Sequence, residues 1–491
     1  MRFLVTGATG YVGGRLVPRL LAEGHAVRCL ARSPAKLRDV PWADRVEIAR
    51  GDVLDSDALH EAMRGVDTVY YLVHSLTEAG FAALDRRGAL LTAQAARDAG
   101  VGRIVYLGGL HPAGDESVLS DHLASRAEVG EIFLRSGIPT AVLQAAVVIG
   151  SGSASFEMLR HLTERLPVMV TPRWVRTRVQ PIAIRDVLHY LLAAASLPPE
   201  VNRSFDIGGP DVLTYEQMMQ RYAAVRGLPR PRLLPVGLLS PRLSSHWINI
   251  VTPVPKAIGA PLIESLAHEA VCRENDIADF ISAPEGGLTG YDTALTLALD
   301  RIRRGDVETH WSAASVPASP SDPLPTDPGW AGGSWYVDRR SQQTSATPDR
   351  LWRVVQGIGG RNGWYSLPLA WAARGWADRL AGGVGLDRGR RHPQELRMGD
   401  ALDWWRVEEL CDDPPDRVLR LRAEMKVPGY AWLELRVRPD SGGGSLYLQR
   451  AVFIPRGLAG HLYWWAVAPF HGAVFGGMAR NITRTAEGGG S

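Results

Sequence analysis

The first fifteen residues constrain the fold more than any other stretch. Met1-Arg-Phe-Leu-Val-Thr6 is a short β-branched and aliphatic run with no helical period, so it reads as a buried strand. It enters Gly7-Ala-Thr-Gly10-Tyr-Val-Gly13-Gly14 directly, and Arg15-Leu-Val then opens an amphipathic helix. Gly7 permits a tight turn, Gly10 lets backbone approach a pyrophosphate, and Gly13 lets the helix close on the sheet. Phosphates would sit on unpaired N–H groups at the helix N-terminus, where the dipole favours negative charge. In a chain with 52 glycines a bare three-glycine pattern says little. The strand–turn–helix context gives this one its weight.

The chain then alternates. Strands are expected at Ala26–Ala31, Val46–Ala49, Thr68–Val73, Arg103–Leu107 and Thr140–Leu143, with helices at Ser56–Arg64, Phe81–Ala99 and Leu119–Ser136. Pro18 is expected to kink the first helix. Six such units make an α/β fold, a doubly wound parallel sheet of Rossmann type with cofactor at the strand C-termini. From about 150 to 305 the alternation loosens into a small substrate-side lobe on the same domain, with helices at Phe156–Arg165, Val187–Ala195 and Tyr215–Arg226. Five prolines between Pro317 and Pro328 mark residues 306–329 as a solvated Pro/Ser-rich linker.

Residues 330–487 form a second domain of different character, holding 11 of the 15 tryptophans. Ser334–Ser345 reads as a strand, and Thr347-Pro-Asp-Arg-Leu-Trp as the start of a capped helix. Arg417–Lys426 alternates, with Leu419, Leu421, Ala423 and Met425 on one face. Trp432–Arg438 and Ser445–Phe453 follow, joined through Asp440-Ser-Gly-Gly-Gly, and an apolar helix from Leu458 to Ile482 closes the chain. One curved antiparallel sheet around a long helix, an α+β helix-grip, buries this pattern. Gly488–Ser491 reads as an added tail outside the fold.

At 491 residues more than one core is expected. A formal charge of +3 gives no electrostatic case for nucleic acid. Lys36, Lys256 and Lys426 are the only lysines, so any single arginine is weak evidence of function. Cys29, Cys272 and Cys411 are isolated, without metal-ligand spacing, and read as reduced thiols of a cytoplasmic protein. No charged-then-apolar leader precedes the first strand. The longest apolar stretch, Leu462 to Met478, is interrupted by Pro469 and His471, and no membrane span is expected. Oligomeric state is not written in the sequence.

Cofactor choice is read at the strand ends. An NAD site usually has a carboxylate after the second strand, for the ribose 2′-OH. Here Leu30-Ala-Arg32-Ser stands instead, and Arg32 suits the 2′-phosphate of NADP, with NAD the alternative and a solvated surface arginine the plain reading. Asp52 either meets the adenine or caps the helix Ser56–Arg64.

Thr6-Gly-Ala-Thr-Gly-Tyr-Val-Gly13, Gly51-Asp-Val and Ile149-Gly-Ser-Gly resemble an atypical, extended short-chain dehydrogenase/reductase. His122-Leu-Ala-Ser-Arg-Ala-Glu-Val, Gly152-Ser-Ala-Ser-Phe-Glu-Met-Leu-Arg, Gln180-Pro-Ile-Ala-Ile-Arg-Asp-Val and Ile207-Gly-Gly-Pro-Asp-Val-Leu-Thr-Tyr resemble its YbjT-like NAD(P)-binding group. That group carries a C-terminal DUF2867 domain. Gly382–Arg391, Gly399–Arg406, Pro455-Arg-Gly-Leu and Leu462-Tyr-Trp-Trp with Pro469-Phe-His471 resemble that domain, which also looks START/Bet v1-like (SRPBCC). The resemblance implies a cofactor site at Gly7, Thr9, Gly10, Tyr11, Val12, Gly13, Arg32, Asp52, Val53, Leu72, Val73 and His74.

The chain departs from the family in its catalytic residues. No lysine has a tyrosine four residues before it, so the Tyr-x-x-x-Lys pair is missing, and Gly108-Gly109 replaces the serine usual after the fifth strand. His122 and Arg126 stand at the equivalent place. His122 is the candidate proton donor, since imidazole titrates near neutrality, and Arg126 would hold ribose hydroxyls. The alternative is that His122 only caps or packs. His74 and His111 follow the fourth and fifth strands, and neither has partners at metal-ligand spacing. The tryptophan-rich interior of the second domain either lines a cavity for a small hydrophobic molecule or lipid, or fills a core.

The function expected is that of an NADP(H)-binding oxidoreductase acting on a hydrophobic carbonyl or alcohol. The alternative is a non-catalytic NAD(P)-binding redox sensor or assembly protein, NmrA-like or of respiratory-complex-subunit type.

Overall fold

The computed structural model describes residues 1–38, 40–76, 78, 80–112, 119–236, 251–303, 327, 332–359, 363–366, 392, 395–440 and 442–488. It divides into two compact units, Met1–Gly333 and Ser334–Ser491. Of the expected linker only Asp327 is described. The whole Gly382–Arg391 motif and the last three residues of the tail lie outside the described residues.

The first unit is built on seven parallel strands: β1 (Arg2–Thr6), β2 (Ala26–Ala31), β3 (Glu47–Arg50), β4 (Thr68–Tyr71), β5 (Arg103–Gly109), β6 (Thr140–Ala145) and β7 (Arg203–Ile207). Their order across the sheet is β7-β6-β5-β4-β1-β2-β3, so it reverses between β1 and β4. That reversal opens a crevice at the strand C-termini, the usual ligand position in a doubly wound sheet. Thr6 Oγ1 bridges the two strands there, donating to the Tyr70 carbonyl at 3.1 Å and accepting from the Leu72 N–H at 3.3 Å.

Helices α1 (Tyr11–Ala22), α2 (Ser56–Met63), α3 (Phe81–Asp98) and α4 (Asp121–Leu134) connect the early strands. The near-continuous apolar strands are buried on both sides, Val5, Cys29, Tyr70 and Val105 in one cluster and Leu4, Val69, Tyr71 and Ile104 in another. Helix α1 runs through Pro18 without a break. Helix α2 is capped by Asp55, whose carboxylate accepts from the Asp57 and Ala58 N–H groups. The capping role weighed for Asp52 therefore belongs to its neighbour.

The substrate-side lobe holds α5 (Ala154–Arg165), but it is not one continuous stretch. After α5 the chain returns to the sheet as α6 (Ile184–Ala194) and the seventh strand β7, which pairs in parallel with β6. The strand escaped the sequence reading because Arg203-Ser-Phe-Asp-Ile has only two apolar residues, Phe205 and Ile207, and its first two residues are half-exposed. Helices α7 (Tyr215–Arg226), α8 (Lys256–Ser265) and α9 (Tyr291–Arg303) complete this unit.

The second unit contains β8 (Tyr336–Thr344), α10 (Pro348–Gln356), β9 (Trp405–Cys411), β10 (Arg417–Ala423), β11 (Gly429–Pro439), β12 (Ser445–Pro455) and α11 (Gly457–Gly488). The antiparallel sheet runs β8-β12-β11-β10-β9, with the two-residue strand Ala401–Leu402 at its edge. The alternation read in β10 places Leu419 and Leu421 in the core, beside Trp352, Trp404, Trp405 and the Met478–Ile482 side of α11. This is the helix-grip arrangement.

Candidate cofactor and active site

The glycine turn folds as its spacing demands. Gly7 has φ of +80°, and a Cβ there would stand 2.6 Å from the Leu72 carbonyl oxygen. A Cβ on Gly13 would press into the Gly7 carbonyl, so only glycine lets α1 start this close to β1. The Gly10 N–H donates to the Gly7 carbonyl at 2.9 Å, closing the turn. No side chain caps the start of α1 and no acid stands in its first turn. An uncapped helix N-terminus under a turn without side-chain bulk fits a dinucleotide pyrophosphate.

A cleft of ≈ 280 Å³ opens from this turn along the ends of β1, β4, β5 and β6. Its lining includes Gly10, Tyr11, Val12, Gly13, Leu72, His74, His122 and Arg126, all singled out from the sequence. Gly7 lies beneath it. Thr9, Arg32, Asp52, Val53 and Val73 are not among the lining residues. Val53 and Val73 pack beside the core behind β4. Arg32 and Asp52 stand just past β2 and β3, on the side of the crevice where the adenosine half of a dinucleotide would lie. Arg32 Nη1 donates to Glu78 at 3.1 Å, and its Nε is 3.8 Å from Asp52. Asp52 also accepts from the Leu54 N–H at 2.9 Å.

His122 and Arg126 are one turn apart on α4, so both face the cleft. Arg126 donates to the Leu107 carbonyl at the end of β5, and its guanidinium lies 5.4 Å from the Tyr106 ring centre. His122 Nδ1 is 3.1 Å from Ser265 Oγ at the end of α8. Burial, then the charges of Arg126 and His74, push the His122 pKa down to about 3. The ring is therefore neutral near pH 7, which corrects the sequence expectation that it titrates there. His111 contacts Gln144, its Nε2 3.2 Å from the amide nitrogen, and is not among the lining residues.

Three contributors to this site had no local signal in the sequence. Ser265 joins Ser120 Oγ at 2.9 Å and also donates to the Pro261 carbonyl at 2.9 Å. Asp85 on α3 accepts from the Ser75 N–H at 2.8 Å and the Ser125 hydroxyl at 3.3 Å, tying the His74 loop to α4. Burial raises its pKa, opposed by those hydrogen bonds and by Arg126. Asp327 pairs with Arg15 of α1 at 2.7 Å, with side-chain exposures of 6% and 3%. Arg15 in turn lies 4.2 Å from the ring centre of Tyr11. Tyr215, which lines the lobe side of the cleft, did carry a signal. Thr214-Tyr-Glu-Gln217 is a capping box, and the structure shows both of its hydrogen bonds.

Residues 7–141 match the NAD(P)H-binding family, and residues 330–478 match the family described as protein of unknown function DUF2867. A ceramide reductase from Caulobacter vibrioides is 30% identical over 280 residues, 54% of this chain and 83% of that protein. A 3β-hydroxysteroid dehydrogenase/Δ5→4-isomerase from Mycobacterium tuberculosis is 29% identical over 310 residues, 56% of this chain and 82% of that protein. Among solved structures, the triphenylmethane reductase of Citrobacter sp. complexed with NADP(H) is similar at a TM-score of 0.47 and 24% identity. It covers 61% of this chain and 100% of its own.

Proposed function

Because the chain belongs to the atypical short-chain dehydrogenases/reductases, an NAD(P)H-binding Rossmann domain followed by a DUF2867 domain, we propose that it interconverts a secondary alcohol and a ketone on an apolar substrate, with NADP(H) as cofactor. When bound, the nicotinamide supplies or accepts the hydride. The observation that carries this reading is the continuity of the glycine turn with a cleft bearing His122 and Arg126.

The uncapped N–H groups of α1 would hold the pyrophosphate, and Arg32 the 2′-phosphate. Arg126, fixed against β5, would hold ribose hydroxyls. Ser265 gives its one proton to the Pro261 carbonyl, so it accepts a hydrogen bond from His122 Nδ1. A neutral ring protonated at Nδ1 has its lone pair on Nε2. His122 then takes the proton from a substrate hydroxyl and returns it in the reverse direction, while Ser265 positions the ring. An apolar substrate is supported by the names of two relatives, a ceramide reductase and a hydroxysteroid dehydrogenase.

The test is NADPH consumption with long-chain and steroidal ketones, alongside NADPH and NADH titrations of the same protein. His122→Phe should lower kcat by about 100-fold or more with NADPH affinity unchanged. Arg32→Ala should erase a preference for NADPH over NADH, and Glu78→Ala, which frees Arg32 from a competing carboxylate, should sharpen it. Full turnover in His122→Phe overturns the assignment of the base. The missing Tyr-x-x-x-Lys pair favours a second reading, a dinucleotide-binding sensor, and tight NADPH binding with no turnover of any ketone or alcohol would select it.

A further inference from the structure

Helix α11 raises a problem that the cofactor site does not solve. From Gly457 to Ala479 it contains no Asp, Glu, Lys or Arg, a run of roughly 35 Å at the α-helical rise. One side packs on its own domain through Gly460, His461, Phe475, Met478, Ala479 and Ile482, all buried. The opposite side is equally apolar and faces outward. Leu462 is 54% exposed, Trp465 60% and Phe470 68%, with Ala466, Pro469 and Ala473 exposed between and beyond them. A helix that is apolar all round needs an apolar partner on both sides, and the sheet supplies one.

The same outward face continues into Arg480 and Arg484, both exposed, which stand five turns beyond Leu462 and Ala466. The acid nearest that end, Glu487, is engaged by the Thr344 hydroxyl and the Ser345 N–H. Arg456 precedes the helix and is exposed as well. An aromatic and aliphatic strip bracketed by arginines matches a lipid interface with anionic headgroups. A second copy fits it less well. Parallel pairing would bring Arg480 and Arg484 against their own counterparts, and antiparallel pairing would set them over the partner's apolar strip.

We propose that the outward face of α11 docks on an anionic lipid bilayer, with Leu462, Trp465 and Phe470 entering the headgroup–acyl boundary and Arg480 and Arg484 meeting lipid phosphates. Docking is peripheral: among the described residues no helix is long and apolar enough to cross a membrane. It is independent of the reaction proposed above, since none of these residues lines the cleft.

Flotation of the full chain with vesicles of phosphatidylcholine alone, or of phosphatidylcholine with phosphatidylglycerol, tests it. The protein should float with the anionic vesicles and several-fold less with the neutral ones. W465E/F470E should cut anionic binding about tenfold or more, with the circular dichroism spectrum and NADPH affinity unchanged. R480Q/R484Q, a milder surface change, should abolish the preference for anionic lipid and its salt dependence. Failure of the wild-type chain to float, or flotation of W465E/F470E equal to wild type, overturns the proposal. So does a dimer in sedimentation that W465E/F470E dissociates, because the face is then a subunit interface.

Discussion

At the scale of single residues, the chemistry turns on the protonation of His122. Its folded-state pKa of about 3 lies below the ordinary 6.5, because burial and the charges of Arg126 and His74 disfavour the imidazolium. Between those values the unfolded chain binds a proton that the native chain does not. Stability is therefore lost as pH falls from 6.5 toward 3, and His122 makes no difference to stability above that window. His122→Asn should flatten this part of the acid denaturation profile, measured by urea unfolding at a series of pH values. The same depression predicts that kcat shows no limb from His122 between about pH 5 and 8. Ser265→Ala removes the acceptor that fixes Nδ1–H and should lower kcat while leaving KM for NADPH unchanged. None of this was legible from His122-Leu-Ala-Ser-Arg126. The i, i+4 spacing sets the two side chains on one helix face, but the depressed pKa comes from burial in the cleft and from His74 as well as Arg126, and Ser265, 143 residues on, meets His122 only through the fold.

At the scale of elements, the junction of β1 with α1 was the most legible part of the chain, because every requirement is local. Turn, close approach and helix start fall within eight residues, and each demands glycine for a steric reason. Gly13→Ala should lower NADPH affinity by about tenfold, equivalent to about 1.4 kcal/mol, since α1 must move off the Gly7 carbonyl. Titration calorimetry on folded protein reads this directly, and unchanged affinity would show that the turn tolerates a side chain. The other anchor of α1 was hidden. Asp327 sits in a proline-rich stretch that reads as solvated, yet it is buried against Arg15 over a separation of 312 residues. Asp327→Ala leaves the guanidinium buried without its carboxylate. It should destabilise the first unit by about 3 kcal/mol or more in denaturant unfolding, with R15M/D327A less damaged than D327A alone. The seventh strand, β7, escaped for a related reason: its place beside β6 depends on a crossover through α6, not on its own five residues.

At the scale of the whole molecule, two independent cores were readable as a change of composition. Alternating apolar strands and helices give way to tryptophan-rich amphipathic strands, and the structure divides at Gly333. What composition does not reveal is which core a ligand will stabilise. The glycine turn, the cleft and the Arg15–Asp327 pair all belong to the first unit, whereas ten of the fifteen tryptophans lie beyond Gly333. Binding only to the native state stabilises by mass action, about 2.7 kcal/mol at a free concentration one hundred times Kd. NADPH should therefore raise the midpoint of the transition followed by hydrogen exchange in β1, β4 and β5. It should leave the midpoint followed by exchange in β10, β11 and β12 where it is. Equal shifts at both sets of amides would mean that the two cores unfold as one cooperative body. A shift confined to the second set would place the dinucleotide site in the wrong unit and remove the foundation of the proposed chemistry.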